Sequence, residues 1–206
     1  MKFRLFALLA LVLGVVSCQK DPYGLEVDSK GEAAVTLNVA LPDDATRAAG
    51  TDSAQGGINN VDLINAYDIR YILEVYNLED GKLAKERMTE VKDTETSASF
   101  SFRLIPGRNY KFVVWADFVN QGSDGKVDLH YNTDATGDGL RNVTVVTNNW
   151  KVIDESRDAY TGFKVVENFS SLSALTEPIT LTRPFAKLRV VTNDIKEMIS
   201  VRPAEV

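Results

Sequence analysis

The residues able to do chemistry are few and widely spaced. The 206-residue chain has one histidine, His130, and one cysteine, Cys18. A zinc site or a Ser-His-Asp triad needs several such groups brought together. His130 stands in a polar stretch with no cysteine near it, and reads as a surface residue. No Gly-x-Ser-x-Gly elbow, phosphate loop or dinucleotide fingerprint occurs. Carboxylates are plentiful, but they fall in turns and on exposed strand faces, where sequence cannot pair them as glycoside hydrolysis requires. Asn132-Thr133-Asp134-Ala135-Thr136-Gly137-Asp138-Gly139 sets oxygen side chains at every second position ahead of a glycine, as the start of a calcium loop does. Its twelfth position is Val143, where a bidentate Glu belongs, so the stretch reads as an Asp/Gly-rich turn. The expectation is no enzyme, no cofactor and no metal.

Two positions instead invite modification. Met1 to Cys18 carries a basic start (Lys2, Arg4), then an unbroken apolar run from Leu5 to Val16, then Ser17 and Cys18. The run is too short to span a bilayer comfortably and a small residue precedes the cut, as in a secretory signal peptide. Val15-Val16-Ser17-Cys18 resembles a bacterial lipobox. That resemblance implies cleavage before Cys18 and its acylation, with everything downstream outside the cytoplasm and held to a membrane by acyl chains. The second position is Arg47, alone among small residues in Asp43-Asp44-Ala45-Thr46-Arg47-Ala48-Ala49-Gly50. An arginine in a flexible loop is accessible to a trypsin-like protease, which would cut between Arg47 and Ala48.

Composition limits the partners. The chain has 23 Lys+Arg against 29 Asp+Glu, a formal charge of −6, and loss of Lys2 and Arg4 with the signal makes it more acidic. That argues against nucleic acid and against lying flat on anionic lipid. Hydrophobic content of 44% suffices for a core. With Cys18 acylated no thiol remains, so disulfides and cysteine metal sites are excluded.

The elements that position these residues read as strands. Gln19 to Glu32 is polar and broken by Asp-Pro and Tyr-Gly, as a tether would be. Val35, Leu37, Val39 and Leu41 then alternate with polar or small residues, a half-buried strand ended by Pro42. Asp43 to Asn60 reads as an exposed loop. Tyr67 to Asn77 alternates, Glu79-Asp80-Gly81-Lys82 turns, and Leu83 to Val91 returns as a hairpin partner. Ser97 to Leu104 alternates again and stops at Pro106-Gly107. Tyr110 to Val119 is the most apolar run, so a central strand. A polar excursion, Asp128 to Gly162, has a β-prone patch at Val143–Thr147. Phe163–Val166, Ile179–Thr182 and Phe185–Thr192 complete the set, with Pro184 suited to an edge or bulge. About seven or eight short strands without a convincing long helix argue an all-β sandwich. The expected organisation is a lipoprotein signal over 1–18, a tether over 19–32, one sandwich domain over 33–195 and a tail over 196–206 that could begin a second domain.

Lipobox, short tether, alternating strand and then Ala45-Thr46-Arg47-Ala48, in that order, resemble the fimbrillins, lipoprotein subunits of the type V pili of anaerobic Gram-negative bacteria. Phe112-Val113-Val114-Trp115-Ala116-Asp117, Asp158-Ala159-Tyr160-Thr161-Gly162-Phe163 and Arg183-Pro184-Phe185-Ala186-Lys187-Leu188-Arg189-Val190 add to the likeness. It implies a transthyretin-like Greek-key sandwich, an outer-membrane and surface-exposed location, and maturation by a protease after Arg47. That cut would release Val35, Leu37, Val39 and Leu41 and open a groove for a strand from another pilus subunit. Fimbrillins usually carry a second sandwich domain, whereas this chain runs out in a patternless tail. The chain is therefore either a fragment or a one-domain relative, and a one-domain relative could accept a strand but not donate one, which suits a tip, cap or accessory role.

The competing reading is an uncleaved surface lipoprotein that binds glycan or a host ligand. Trp150 (among Asn148, Asn149 and Lys151), Tyr131 and Tyr160 would supply stacking faces. Trp115, among apolar neighbours, reads as core. Asp52-Ser53-Ala54 resembles a short bacterial O-glycosylation signal, and Lys20-Asp21 weakly resembles a surface-sorting signal.

Overall fold

The computed structural model describes residues 28–42, 66–148, 154–169 and 178–185. Among them the chain forms β1 Ala33–Ala40, β2 Tyr67–Asn77, β3 Leu83–Lys92, β4 Ser97–Leu104 and β5 Tyr110–Asn120. Two short strands, β6 Tyr131–Asn132 and β7 Thr144–Val145, precede β8 Ala159–Val166 and β9 Ile179–Thr180. The fold is an all-β sandwich. One sheet has the order β4-β1-β9, the facing sheet β3-β2-β5-β8, and β6 and β7 pair apart from both.

Alternation decides which side chains meet between the sheets. Val35, Leu37, Val39 and Leu41 lie inward with 0–5% exposure, and Ala34, Thr36 and Asn38 lie outward in water. They share one core with Tyr71, Leu73, Val75, Phe112 and Val114 of the facing sheet. β5 lies between β2 and β8, paired antiparallel with both. Its residues Val114 to Val119 are buried on both faces, as its nearly continuous apolar run requires. The hairpin turn after β2 is shaped by side-chain capping: Asn77 Oδ1 accepts from the Glu79 amide and Asp80 Oδ1 from the Lys82 amide.

One segment ties the two sheets along an edge. Ile179 and Thr180 run parallel to Val39 and Ala40. Two residues on, Thr182 exchanges both backbone hydrogen bonds with Thr161 of β8, at 2.8 and 2.9 Å. β9 therefore borders β1 on one side, and its continuation borders the other sheet.

The structure differs from the sequence reading at the start of the domain. The tether expected over 19–32 gives way to a fold by Asp28. Its Oδ1 accepts from the amides of Lys30 and Glu32 at 2.9 and 3.0 Å, a local turn of the kind Asp favours. Its other oxygen meets Arg103 of β4 at 2.9 Å. The signal, the segment holding Arg47 and the expected strand over Phe185–Thr192 beyond Phe185 lie outside the described residues, as do Leu172–Leu175. So does the tail. Of Ile58–Ala66, where a helical turn was expected, only Ala66 is described.

Leu37 has no exposed surface, so Leu37→Ala should lower unfolding free energy by about 2–5 kcal/mol. Thr36→Ala, on the wet face of the same strand, should change it by less than about 0.5 kcal/mol. Urea titration of the two variants checks this; equal effects would mean that β1 is not a core strand.

Candidate functional site

β1 is seated on three sides. Along one edge it pairs antiparallel with all of β4, from Ala33 opposite Leu104 to Ala40 opposite Ser97. At its C-terminal end the other edge pairs with β9, and Leu181 donates its amide to the Ala40 carbonyl at 2.8 Å. Below, its four aliphatic side chains fill a row of the core. The Leu41 amide closes the run by donating to the Thr96 carbonyl at 2.8 Å. At the N-terminal end, Glu32 meets Lys85 of β3 at 2.8 Å, and its carbonyl accepts from Arg103 at 2.6 Å.

The opposite face of the four-stranded sheet was expected to be wet. Instead Arg70, Glu74 and Asp117 are buried, with 1–2% exposure, because the described parts of the excursion, 121–148 and 154–157, fold across them. Arg70 forks onto Asp117, Nε to Oδ1 at 2.8 Å and Nη2 to Oδ2 at 2.7 Å. Its remaining Nη1 reaches into the excursion, to Asp128 Oδ1 at 2.9 Å and the Gly125 carbonyl at 3.0 Å. Burial pushes the Asp117 carboxyl upward, and the fork from Arg70 opposes that. Glu74 accepts from Tyr76 Oη and from the Leu140 amide at 2.7 Å, and pairs with Arg87 at 3.1 Å. A buried charge without such partners would be prohibitive.

Two glycines let the excursion come this close. A Cβ at Gly125 would lie 2.7 Å from Val91 Cγ2, and one at Gly139 would lie 2.5 Å from both Glu74 carboxylate oxygens. Both residues have positive φ, +76° and +59°, which only glycine adopts freely. Between the two charged anchors lies a small apolar cluster of Ile72, Trp115, Tyr131, Leu140 and Ala159. Trp115 is thus core, as its neighbours suggested, although beneath the excursion rather than between the sheets.

Two residues read as exposed are buried under this layer. Tyr131 is 5% exposed, with Trp115 edge-on at 5.2 Å and Phe185 stacked at 5.7 Å. Its hydroxyl donates to the Arg157 carbonyl. It offers no free face to a sugar. His130 is 8% exposed, its Nε2 2.7 Å from Ser156 Oγ, which donates to Asp154 Oδ1 at 2.5 Å. Here serine bridges acid and imidazole. Nucleophilic catalysis needs the imidazole in the middle, taking the serine proton; this serine gives its proton to Asp154. Asp134, in the calcium-like stretch, spends its carboxylate on the Gly139 amide at 2.9 Å. Among the described residues no group of three or more His, Cys, Asp or Glu is placed to hold a metal ion. No helix among them is long and apolar enough to cross a membrane. Cys18, Arg47, Ala48 and Trp150 lie outside the described residues, as does Asp52-Ser53-Ala54.

The profile of a family described as "Family of unknown function (DUF6562)" matches residues 27–204. The chain belongs to the DUF6562 family. The match begins at residue 27, beside the Asp28 turn. No curated protein and no solved structure matches the chain.

The charged anchor predicts an asymmetry in this DUF6562 domain. Arg70→Leu strands Asp117 in the interior and should cost about 3–5 kcal/mol, whereas Arg70→Leu with Asp117→Leu should cost clearly less. Chemical denaturation of the two variants decides it; equal losses would deny that the pair is coupled.

His130 predicts a pH effect. Burial first, and then the charge of Arg157, hold its imidazole below the ordinary 6.5, with Asp154 opposing. The folded state binds this proton less readily than the unfolded chain. The stability it contributes is therefore complete above about pH 6.5 and is lost as pH falls from there to the lower folded-state value. His130→Gln should flatten the decline in melting temperature between about pH 7 and 5; an equally steep decline in the variant would assign it to other groups.

Proposed function

We propose that this protein is a fimbrillin-like structural subunit of the outer-membrane surface, of transthyretin-like fold, anchored through Cys18 and activated by proteolysis after Arg47. The observation that carries the reading is the seat of β1. This strand lies inside its sheet, between β4 and β9, yet it is the first strand among the described residues. It is joined to the rest of the domain through the segment 43–65, which contains Arg47. A cut there leaves β1 attached to the lipid-bearing piece and held to the domain by non-covalent contacts alone.

Losing β1 would expose backbone edges on both neighbours and an apolar row beneath. Burial of a large aliphatic side chain contributes roughly 1.5–3 kcal/mol, so four contribute about 6–12 kcal/mol. A whole domain is stable by about 5–15 kcal/mol. The cleaved domain is therefore driven to take up another strand, which brings main-chain hydrogen bonds and alternating apolar side chains. A contact between one subunit's groove and the next subunit's strand is head-to-tail and propagates rather than closing, whereas a subunit that accepts without donating ends the series. The uncut form is capped by its own strand. The role is structural: the buried carboxylates are engaged in anchoring the excursion, and the buried serine and histidine stand in the wrong order for nucleophilic attack.

The uncleaved glycan-binding alternative has less to stand on, because Tyr131 is enclosed. Arg47→Ala should leave folding and the melting temperature unchanged and abolish both cleavage and polymer formation. Gel analysis of surface-extracted material checks this; polymers formed by that variant would rule out strand release at Arg47.

A further inference from the structure

At the N-terminal end of the β1 seat, the segment that leaves and the framework that stays are opposite in charge. Asp28 and Glu32 belong to the piece that carries β1. Their partners are framework residues: Arg103 of β4 lies 2.9 Å from the Asp28 carboxylate, and Lys85 of β3 lies 2.8 Å from that of Glu32. Arg103 also donates to the Glu32 carbonyl at 2.6 Å. The four side chains are only 22–39% exposed, so salt screens these pairs less than free surface charges. A cleft of about 220 Å³ opens at this point, lined by Glu32, Lys85, Leu104, Arg108 and Tyr110 among others. Asp80, the acidic residue of the framework on its rim, has one carboxylate oxygen on the Lys82 amide. Departure of β1 would leave Arg103 and Lys85 without Glu32 and Asp28, beside Arg108, at one end of an apolar groove.

We propose that this groove selects its incoming strand by charge as well as by apolar pattern. The occupant is a β-strand of another protein subunit with a carboxylate immediately ahead of its first buried residue and a second one a turn earlier. The inference rests on the reading of β1 as a removable strand, and adds the chemistry of what replaces it. The pattern follows from the seat. Ala33, opposite Leu104, is buried, and positions 35, 37, 39 and 41 take aliphatic side chains. Carboxylates at positions 32 and 28 meet Lys85 and Arg103. The charges lie at one end only, so they also fix direction and register. A strand slipped by two residues keeps its apolar face inward but loses both ion pairs. Apolar alternation alone does not penalise that slip, whereas an unpaired charge does.

The test varies the incoming strand and keeps the receiving protein the same for both peptides. The full chain, with a specific protease site inserted after Arg47, is nicked. It is then mixed with equal amounts of two differently labelled peptides spanning residues 26–42, one native and one carrying Asp28→Asn and Glu32→Gln. Incorporation is read by mass spectrometry after gel filtration. The native peptide should be taken up in roughly tenfold excess at low ionic strength, as expected of two half-buried ion pairs. The excess should shrink toward parity in molar salt. Equal uptake at low salt would overturn the charge selection and leave the removable strand standing. Uptake of neither peptide would overturn both.

Discussion

The inner layer of this protein depends on one strand being both the first of the described strands and interior in its sheet. β1 contributes hydrogen bonds to β4 along its whole length, borders β9 at its end, and lays a row of aliphatic side chains into the common core. An edge strand could fray with modest consequence. An interior strand cannot leave without opening two edges and a trough at once. The usual liability of exposed edges is here held in reserve, covered by a piece of chain that joins the domain through a segment containing Arg47.

The outer layer obeys a different constraint. The far face of the four-stranded sheet carries Arg70, Glu74 and Asp117, and the excursion laid over it supplies Asp128, the Gly125 carbonyl and the Leu140 amide as partners. These contacts hold the four-stranded sheet and the excursion to each other without involving β1. The sheet's other face still shares its core with the β1 row.

Much of the inner layer was legible because its signals are local. The alternation of Tyr67–Asn77 and Ser97–Leu104 gives strands with those bounds, and Glu79 to Lys82 turns the chain as the residue types require. The buried face of β1 follows from alternation alone. The outer layer was not legible because its partners are far apart in sequence. Alternation marks Arg70 and Glu74 as facing away from the core, and the ordinary inference is water. The signal that was present lay in pairs: opposite charges on one face of facing strands, Arg70 directly opposite Asp117, and glycines in the excursion at Gly125 and Gly139. His130 and Tyr131 were misread for the same reason, since a polar loop lying across a charged sheet face buries its occasional ring.

The central claim is that the assembled form of this protein lacks its own first strand. The most direct measurement is the N-terminal residue of the chain in surface-extracted assemblies. The account predicts that it is Ala48, with 18–47 absent from the assembled chain. Assemblies whose chain still begins at lipidated Cys18, and therefore keeps β1 in place, would contradict it.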